Sequence, residues 1–171
     1  NQIQVHDKIG LSFAAALRSI LRQDPDVLLI GEIRDQETAD IAVKFSMTGH
    51  LVFSTVHAND APSTISRLLD LGIPPFLLGS SLNLIMAQRL VRTIDSNEKI
   101  EDKPTNDELE RLGILENANQ MTFYKGQPTQ QNHNTGYKGR TAIHEILEVN
   151  SSVRKMIFEG KSEFEIKDQA I

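Results

Sequence analysis

The chain has 171 residues, a length that fits one compact domain with a small appendage. It is 39% hydrophobic and 24% charged, as soluble globular proteins are, and its formal net charge of −5 argues against nucleic-acid binding, which needs clustered Lys and Arg. No apolar run approaches the roughly 18 residues of a membrane span, no signal-peptide pattern opens the chain, and the lack of cysteine excludes disulfides and thiolate metal sites, so the cytosol is the default compartment.

The first five residues, Asn1-Gln2-Ile3-Gln4-Val5, alternate and predict a strand entered midway. Ser12 caps a helix whose buried side carries Phe13, Leu17, Ile20 and Leu21, and Asp24-Pro25 stops it. Val27 to Ile30 is a continuous apolar run, as in a strand covered on both faces. Asp35 caps a second helix with Ala39, Ala42, Val43 and Ser46 at helical spacing, ended by Gly49. Residues 51–56 predict another buried strand. Pro62 opens a helix with Ile65, Leu68 and Leu69 that closes at Gly72. After Pro74-Pro75 the pattern predicts an apolar helix over 76–88 and a short strand over 89–94. Helices alternating with strands over 10–94 imply a mainly parallel sheet in an α/β layer fold.

Beyond Ile94 the character changes. Residues 95–104 are polar and turn-rich, 106–112 predict a short helix, and 126–139, rich in Gln, Asn, Gly and Thr, predict a surface excursion or a partly disordered segment. Order returns over 140–149, where Ala142, Ile143, Ile146, Leu147 and Val149 look buried. Asn150 caps a helix with Val153, Met156, Ile157 and Phe158, and Ser162 caps the last one, which has no stop signal. Both ends lead to the expectation that the chain is an internal piece of a longer protein.

Two stretches carry chemistry. In Asp26-Val27-Leu28-Leu29-Ile30-Gly31-Glu32 an apolar strand delivers a carboxylate to the carboxyl edge of a parallel sheet, where ligands of open α/β folds sit. Such an acid either holds magnesium or the attacking water in nucleotide hydrolysis, or simply faces solvent as the strand enters a loop. In the second stretch, Thr48 to Asp60, His50 and His57 bracket a strand seven positions apart, so they face opposite sides and do different jobs. His57 falls at the same edge as Glu32. It either donates a hydrogen bond to a terminal phosphate or is a packed or solvated histidine.

Leu21 to Asp35, followed by Glu37-Thr38-Ala39, closely resembles the Walker B region of the type II secretion and type IV pilus assembly ATPases. Thr48-Gly49-His50-Leu51-Val52, Ser54-Thr55 and His57-Ala58-Asn59-Asp60-Ala61 resemble the His box of the same family. Arg67-Leu68-Leu69-Asp70, Ala87-Gln88-Arg89-Leu90-Val91-Arg92, Gly136-Tyr137-Lys138-Gly139-Arg140-Thr141 and His144-Glu145 extend the likeness along the chain, which matches the family's carboxyl-terminal part. The resemblance implies a RecA-like P-loop core over 1–94, a polar excursion over 95–139 and a small, irregular and helical carboxyl-terminal subdomain over 140–171. It also implies a homohexamer, ATP and Mg2+ as cofactors, partners among inner-membrane platform and adaptor proteins, and a cytoplasmic location peripheral to that membrane. Glu32 matches the Walker B glutamate, and His57 the histidine that approaches the terminal phosphate. His50 matches a residue near the subunit boundary. Arg34 either organises Glu32 by an ion pair, next to the nucleotide, or makes a surface salt bridge.

Two features depart from the family. No Gly-x-x-x-x-Gly-Lys-Ser/Thr loop occurs in these residues, so they are expected alone neither to bind ATP tightly nor to hydrolyse it. The two Cys-x-x-Cys pairs of the family's zinc module are replaced by Asp95 and Glu98, then Thr129 and Asn132. With His133 nearby these are poor zinc donors, so no metal site is expected. The excursion is then a contact surface for the membrane platform or a flexible remnant. It favours an assembly motor over one alternative, a retraction or conjugation motor, while the intact Glu32 and His57 weigh against the other, a non-catalytic interaction module.

Overall fold

A computed structural model describes residues 2–170. Asn1 and Ile171 lie outside the described residues. Residues 2–5 are not a strand; the first pairing is a single bridge between His6 and Leu11. In chain order the main elements are α1 (Phe13–Leu21), β1 (Val27–Ile30), α2 (Gln36–Met47), β2 (Leu51–Ser54), α3 (Ala61–Asp70), α4 (Pro75–Ser81), β3 (Leu84–Ile94), β4 (Lys99–Asp102), α5 (Asn106–Arg111), β5 (Phe123–Gly126), β6 (Tyr137–Glu148), α6 (Ser151–Phe158) and α7 (Glu163–Ala170). The chain is therefore α/β. It divides into two units, one of residues up to 87 together with those from 144 onward, the other of residues 88–143.

In the first unit the helix starts obey local chemistry. The Ser12 hydroxyl accepts from the Ala15 N–H, a carboxylate oxygen of Asp35 from Thr38, and Asn150 Oδ1 from Ser152 and Val153, each satisfying a donor the helix leaves open. β1 and β2 pair in parallel, Val27 opposite Leu51 through Ile30 opposite Ser54. Leu28 and Ile30 enter one core with Leu17, Ala39, Val43, Ile65, Leu68 and Leu78. Leu147, Val149, Val153, Ile157 and Ile166 complete that core from the far end of the sequence.

The expectation of strands covered on both faces needs correction. Val27 and Leu29 are 54% and 75% exposed, and Leu51 and Phe53 beside them 48% and 53%. Side chains alternate across a sheet, and the core cluster takes only the Leu28 and Ile30 side. β2 also stops at Ser54, short of Val56. The helix expected over 76–88 ends at Ser81 and gives way to an eleven-residue strand, β3, paired with β6. Tertiary partners override helix propensity there. The Val149 N–H donates to the Asn83 carbonyl (3.0 Å), while Arg154 donates to the Asn83 side chain (3.2 Å) and the Val149 carbonyl (3.0 Å).

α7 is fixed by a reciprocal cap. Glu165 accepts from the Ser162 N–H and hydroxyl, both at 2.9 Å, and from Lys161 at 2.8 Å. The Lys161 ammonium first, then the Ser162 donors, push the Glu165 carboxyl down from its usual 4.5 to about 2. A carboxylate with a depressed folded-state pKa adds stability above its unfolded value, and that stability is lost as pH falls through the folded one. Thermal melts are therefore expected to show an extra loss of Tm between about pH 4.5 and 2, absent from Glu165→Gln. Parallel Tm–pH curves for the two proteins would contradict this.

The second unit is more ordered than its composition suggests. β4 and β5 pair antiparallel, Lys99 opposite Gly126 and Asp102 opposite Phe123, so the polar stretches hold a ladder that their composition does not announce. The segment after β5 folds around Asn132, which is 2% exposed. Its side-chain oxygen accepts from the N–H groups of Thr129 (2.9 Å) and Gly136 (3.1 Å), and its amide donates to the Gln127 carbonyl (2.8 Å).

Candidate active site

Parallel strands end at a common edge, where the residues just past β1 come close to those just past β2. Beyond Ile30 come Gly31 and Glu32; beyond Ser54 come Thr55 and, two residues on, His57. Nε2 of His57 lies 2.6 Å from Oε1 of Glu32, and a guanidinium nitrogen of Arg34 lies 2.6 Å from Oε2. The Glu32 side chain is 22% exposed, against 76% for Arg34 and 88% for His57. A partly sheltered carboxylate thus carries a guanidinium and an imidazole, both solvent-facing, at its rim.

The ion-paired Arg34 guanidinium, with a lesser contribution from His57, holds the Glu32 carboxyl below its usual range against the opposing effect of burial. Glu32 in turn raises the Arg34 pKa. Such a carboxylate is ionised at neutral pH and is a better orienting acceptor than proton sink. Its Oε1 is shielded from solvent and faces Nε2 of His57 at 2.6 Å. A carboxylate with one oxygen on Arg34 and the other on His57 suits an outer-shell role toward Mg2+, which keeps most of its waters and takes few protein ligands. Among the described residues no group of three or more His, Asp or Glu side chains is arranged to hold a metal directly.

Of the residues singled out in the sequence, Glu32, Arg34 and His57 come together, and His50 stands apart. His50 precedes β2, at the end opposite Glu32. Its ring stacks on Phe45, with centroids 4.0 Å apart and planes 16° from parallel. Nδ1 lies 2.9 Å from the Thr48 hydroxyl and Nε2 3.8 Å from Asp24.

Two residues at this edge were not predicted. The Thr55 hydroxyl donates to the Gly31 carbonyl at 2.6 Å, and its carbonyl accepts from the Ile33 N–H at 2.9 Å. Glu145 on β6 reaches the start of α3 and accepts from the Ala61 N–H at 2.9 Å. Beside it, the Asp60 side chain accepts from the Ser63 N–H at 2.9 Å and the Ser63 hydroxyl from the Asp60 N–H at 3.0 Å. Both lie in stretches that carry the family likeness, but no spacing rule marks their roles: Thr55 reaches back 24 residues and Glu145 acts across 84.

Comparison with known proteins places the chain in a family. The profile of the Type II/IV secretion system protein family matches residues 1–171. The chain is 48% identical over its full length to the type IV pilus assembly ATPase PilB of Myxococcus xanthus, covering 31% of that protein. It is 46% identical over 97% of its length to the type II secretion system protein E of Aeromonas hydrophila, covering 33% of it. The chain thus spans about a third of the length of these curated relatives. Among solved structures, the pilus retraction motor PilT with bound ADP superposes with a TM-score of 0.60 at 31% identity, over 92% of this chain and 36% of that one. Among the described residues no helix is long and apolar enough to cross a membrane. The chain belongs to the Type II/IV secretion system protein family.

Proposed function

We propose that the chain is part of a hexameric motor ATPase with a RecA-like P-loop core, which hydrolyses ATP with Mg2+ to drive assembly of a type II secretion pseudopilus or a type IV pilus. The observation that carries this reading is the contact of Glu32 with both Arg34 and His57 at the carboxyl edge of β1 and β2. Assembly is favoured over retraction because identity to an assembly ATPase is 48%, against 31% to the retraction motor. In functional terms residues 1–94 are the catalytic part, 95–139 an excursion toward partners, and 140–171 strand and helices that brace the catalytic part. The motor works in the cytoplasm, peripheral to the inner membrane, against platform and adaptor proteins. The His50 stack lies toward a neighbouring subunit.

ATP supplies the phosphoanhydride bond whose hydrolysis releases energy. Glu32 orients the attacking water, and its carboxylate would accept hydrogen bonds from the waters of a bound Mg2+, which would supply charge for the phosphates. Arg34 keeps the carboxylate ionised. His57, close to Glu32 and largely exposed, donates a hydrogen bond toward the terminal phosphate. The phosphate-cradling loop must come from residues other than these 171.

The test is ATP turnover by the full-length protein; its absence would overturn the reading. In the same assay His57→Ala is expected to lower kcat on the order of tenfold, the size of one charge-assisted hydrogen bond. Should His57→Ala instead dissolve the hexamer while each subunit keeps its rate, His57 is an interface residue. Light scattering run beside the assay separates the two.

A further inference from the structure

Gly31 is the weak point of the edge. The β1–β2 register ends with Ile30 opposite Ser54, so Gly31 and Glu32 lie beyond the ladder. A Cβ added to Gly31 would meet nothing within 4 Å, so the side-chain face of that residue is open. Glycine also loses more conformational freedom on ordering than any other residue. A carboxylate that orients water has to stay within about 0.5 Å of its working position, and a loose peptide before it defeats that.

Thr55 fastens both sides of the weak point. Its hydroxyl donates to the Gly31 carbonyl at 2.6 Å and its carbonyl accepts from the Ile33 N–H at 2.9 Å, so the acid sits between two hydrogen bonds to one residue. Thr55 also begins the segment that carries His57. The far end of that segment is anchored by the Asp60–Ser63 cap and by Glu145 on the Ala61 N–H. Thr55 therefore links the acid to the histidine.

We propose that Thr55 is a positioning residue for ATP hydrolysis: its hydroxyl clamps the Gly31–Ile33 turn so that the Glu32 carboxylate meets His57 and the attacking water in one fixed geometry. The proposal rests on Glu32 being the hydrolytic acid. Thr55 acts through that acid, so its loss falls on kcat rather than on KM. A threonine that merely satisfied a carbonyl would alter stability and leave this balance alone.

The experiment measures ATPase kinetics and melting of the full-length protein carrying Thr55→Val, Thr55→Ser, Glu32→Gln and the Thr55→Val/Glu32→Gln double change. Valine keeps the branched shape without the donor; serine keeps the donor without the methyl. The expected result is a roughly tenfold fall in kcat for Thr55→Val with KM within about twofold, the effect of one lost hydrogen bond on positioning. Thr55→Ser restores most of the rate. In the Glu32→Gln background the valine change shifts the residual rate by less than about twofold, since groups that act as a unit are not additive. Wild-type kcat in Thr55→Val overturns the proposal, as does a Thr55→Ser protein as slow as the valine variant. If Thr55→Val fails to fold, Thr55→Ser decides: near wild-type kcat supports the hydroxyl clamp, and a fall of tenfold or more overturns it. Near wild-type turnover in Glu32→Gln, whatever Thr55 does, rejects the assignment of the acid instead.

Discussion

Glu32→Gln in the full-length protein is expected to cut ATP turnover by at least about a hundredfold, the range for loss of a positioned acid–base group, while ATP affinity stays within about threefold. The amide preserves the shape of the side chain and the strand beneath it, where Leu28 and Ile30 are buried. What it removes is the carboxylate charge, which Arg34 and His57 face at 2.6 Å each. A neutral amide polarises a water far less, and its nitrogen adds a donor where an acceptor was needed. Affinity survives because triphosphates are held mainly by backbone donors and lysine of a phosphate loop, not by this acid. Stability survives too. Arg34 and His57 lose their partner, but both are exposed, and exposed ion pairs contribute little to folding. The measurements are phosphate release under saturating ATP, titration with a fluorescent nucleotide, and a thermal melt. Turnover near wild type would refute the role of Glu32.

What could be read from the sequence was whatever chemistry writes locally. The caps at Ser12, Asp35, Asn150 and Ser162 needed only a short polar side chain before an apolar period, and each was legible. The meeting of Glu32 with His57 came from two apolar runs that end in polar residues, because parallel strands finish at a common edge. Non-local causes were not legible. Leu29 looks as buried as Ile30 in sequence, yet one is 75% exposed and the other 2%, a difference set by which face the core occupies. Leu84 to Gln88 suit a helix and are drawn into β3 by pairing with β6, more than 40 residues away. β4, Lys99–Asp102, has no apolar alternation to reveal it. Thr55 lies in the stretch that resembles the His box, but its contact was not legible, because a hydroxyl reaching a carbonyl 24 residues earlier leaves no spacing rule behind.

The largest expected loss of stability comes from a single methyl group in the second unit, through Gly126→Ala. A Cβ there would lie 1.8 Å from the Gly136 carbonyl oxygen and 2.5 Å from its carbon. Those are backbone atoms, so no rotamer change relieves the clash. Gly136 has little freedom to retreat. Its φ is +76°, its N–H is bound to Asn132, and its carbonyl accepts from the Asp95 N–H at 3.1 Å. On the other side of the close approach the Gln127 N–H donates to the Glu98 carbonyl at 2.7 Å. Hydrogen bonds of Asp95, Glu98, Thr129 and Asn132 are thus all part of one knot around this glycine pair. The knot holds by hydrogen bonds and close backbone packing, so parting Gly126 from Gly136 opens it. Gly126→Ala is expected to cost roughly 3 kcal/mol or more, the upper range for overpacking, and to speed amide exchange over residues 127–136. Gly113→Ala supplies the contrast. Its φ of +68° makes alanine strained, but its Cβ meets nothing within 4 Å. Conformational strain alone should cost about 1 kcal/mol there. If the two variants lose stability equally, backbone strain and not the close approach governs Gly126. If exchange over 127–136 stays slow in Gly126→Ala, the knot does not depend on that contact.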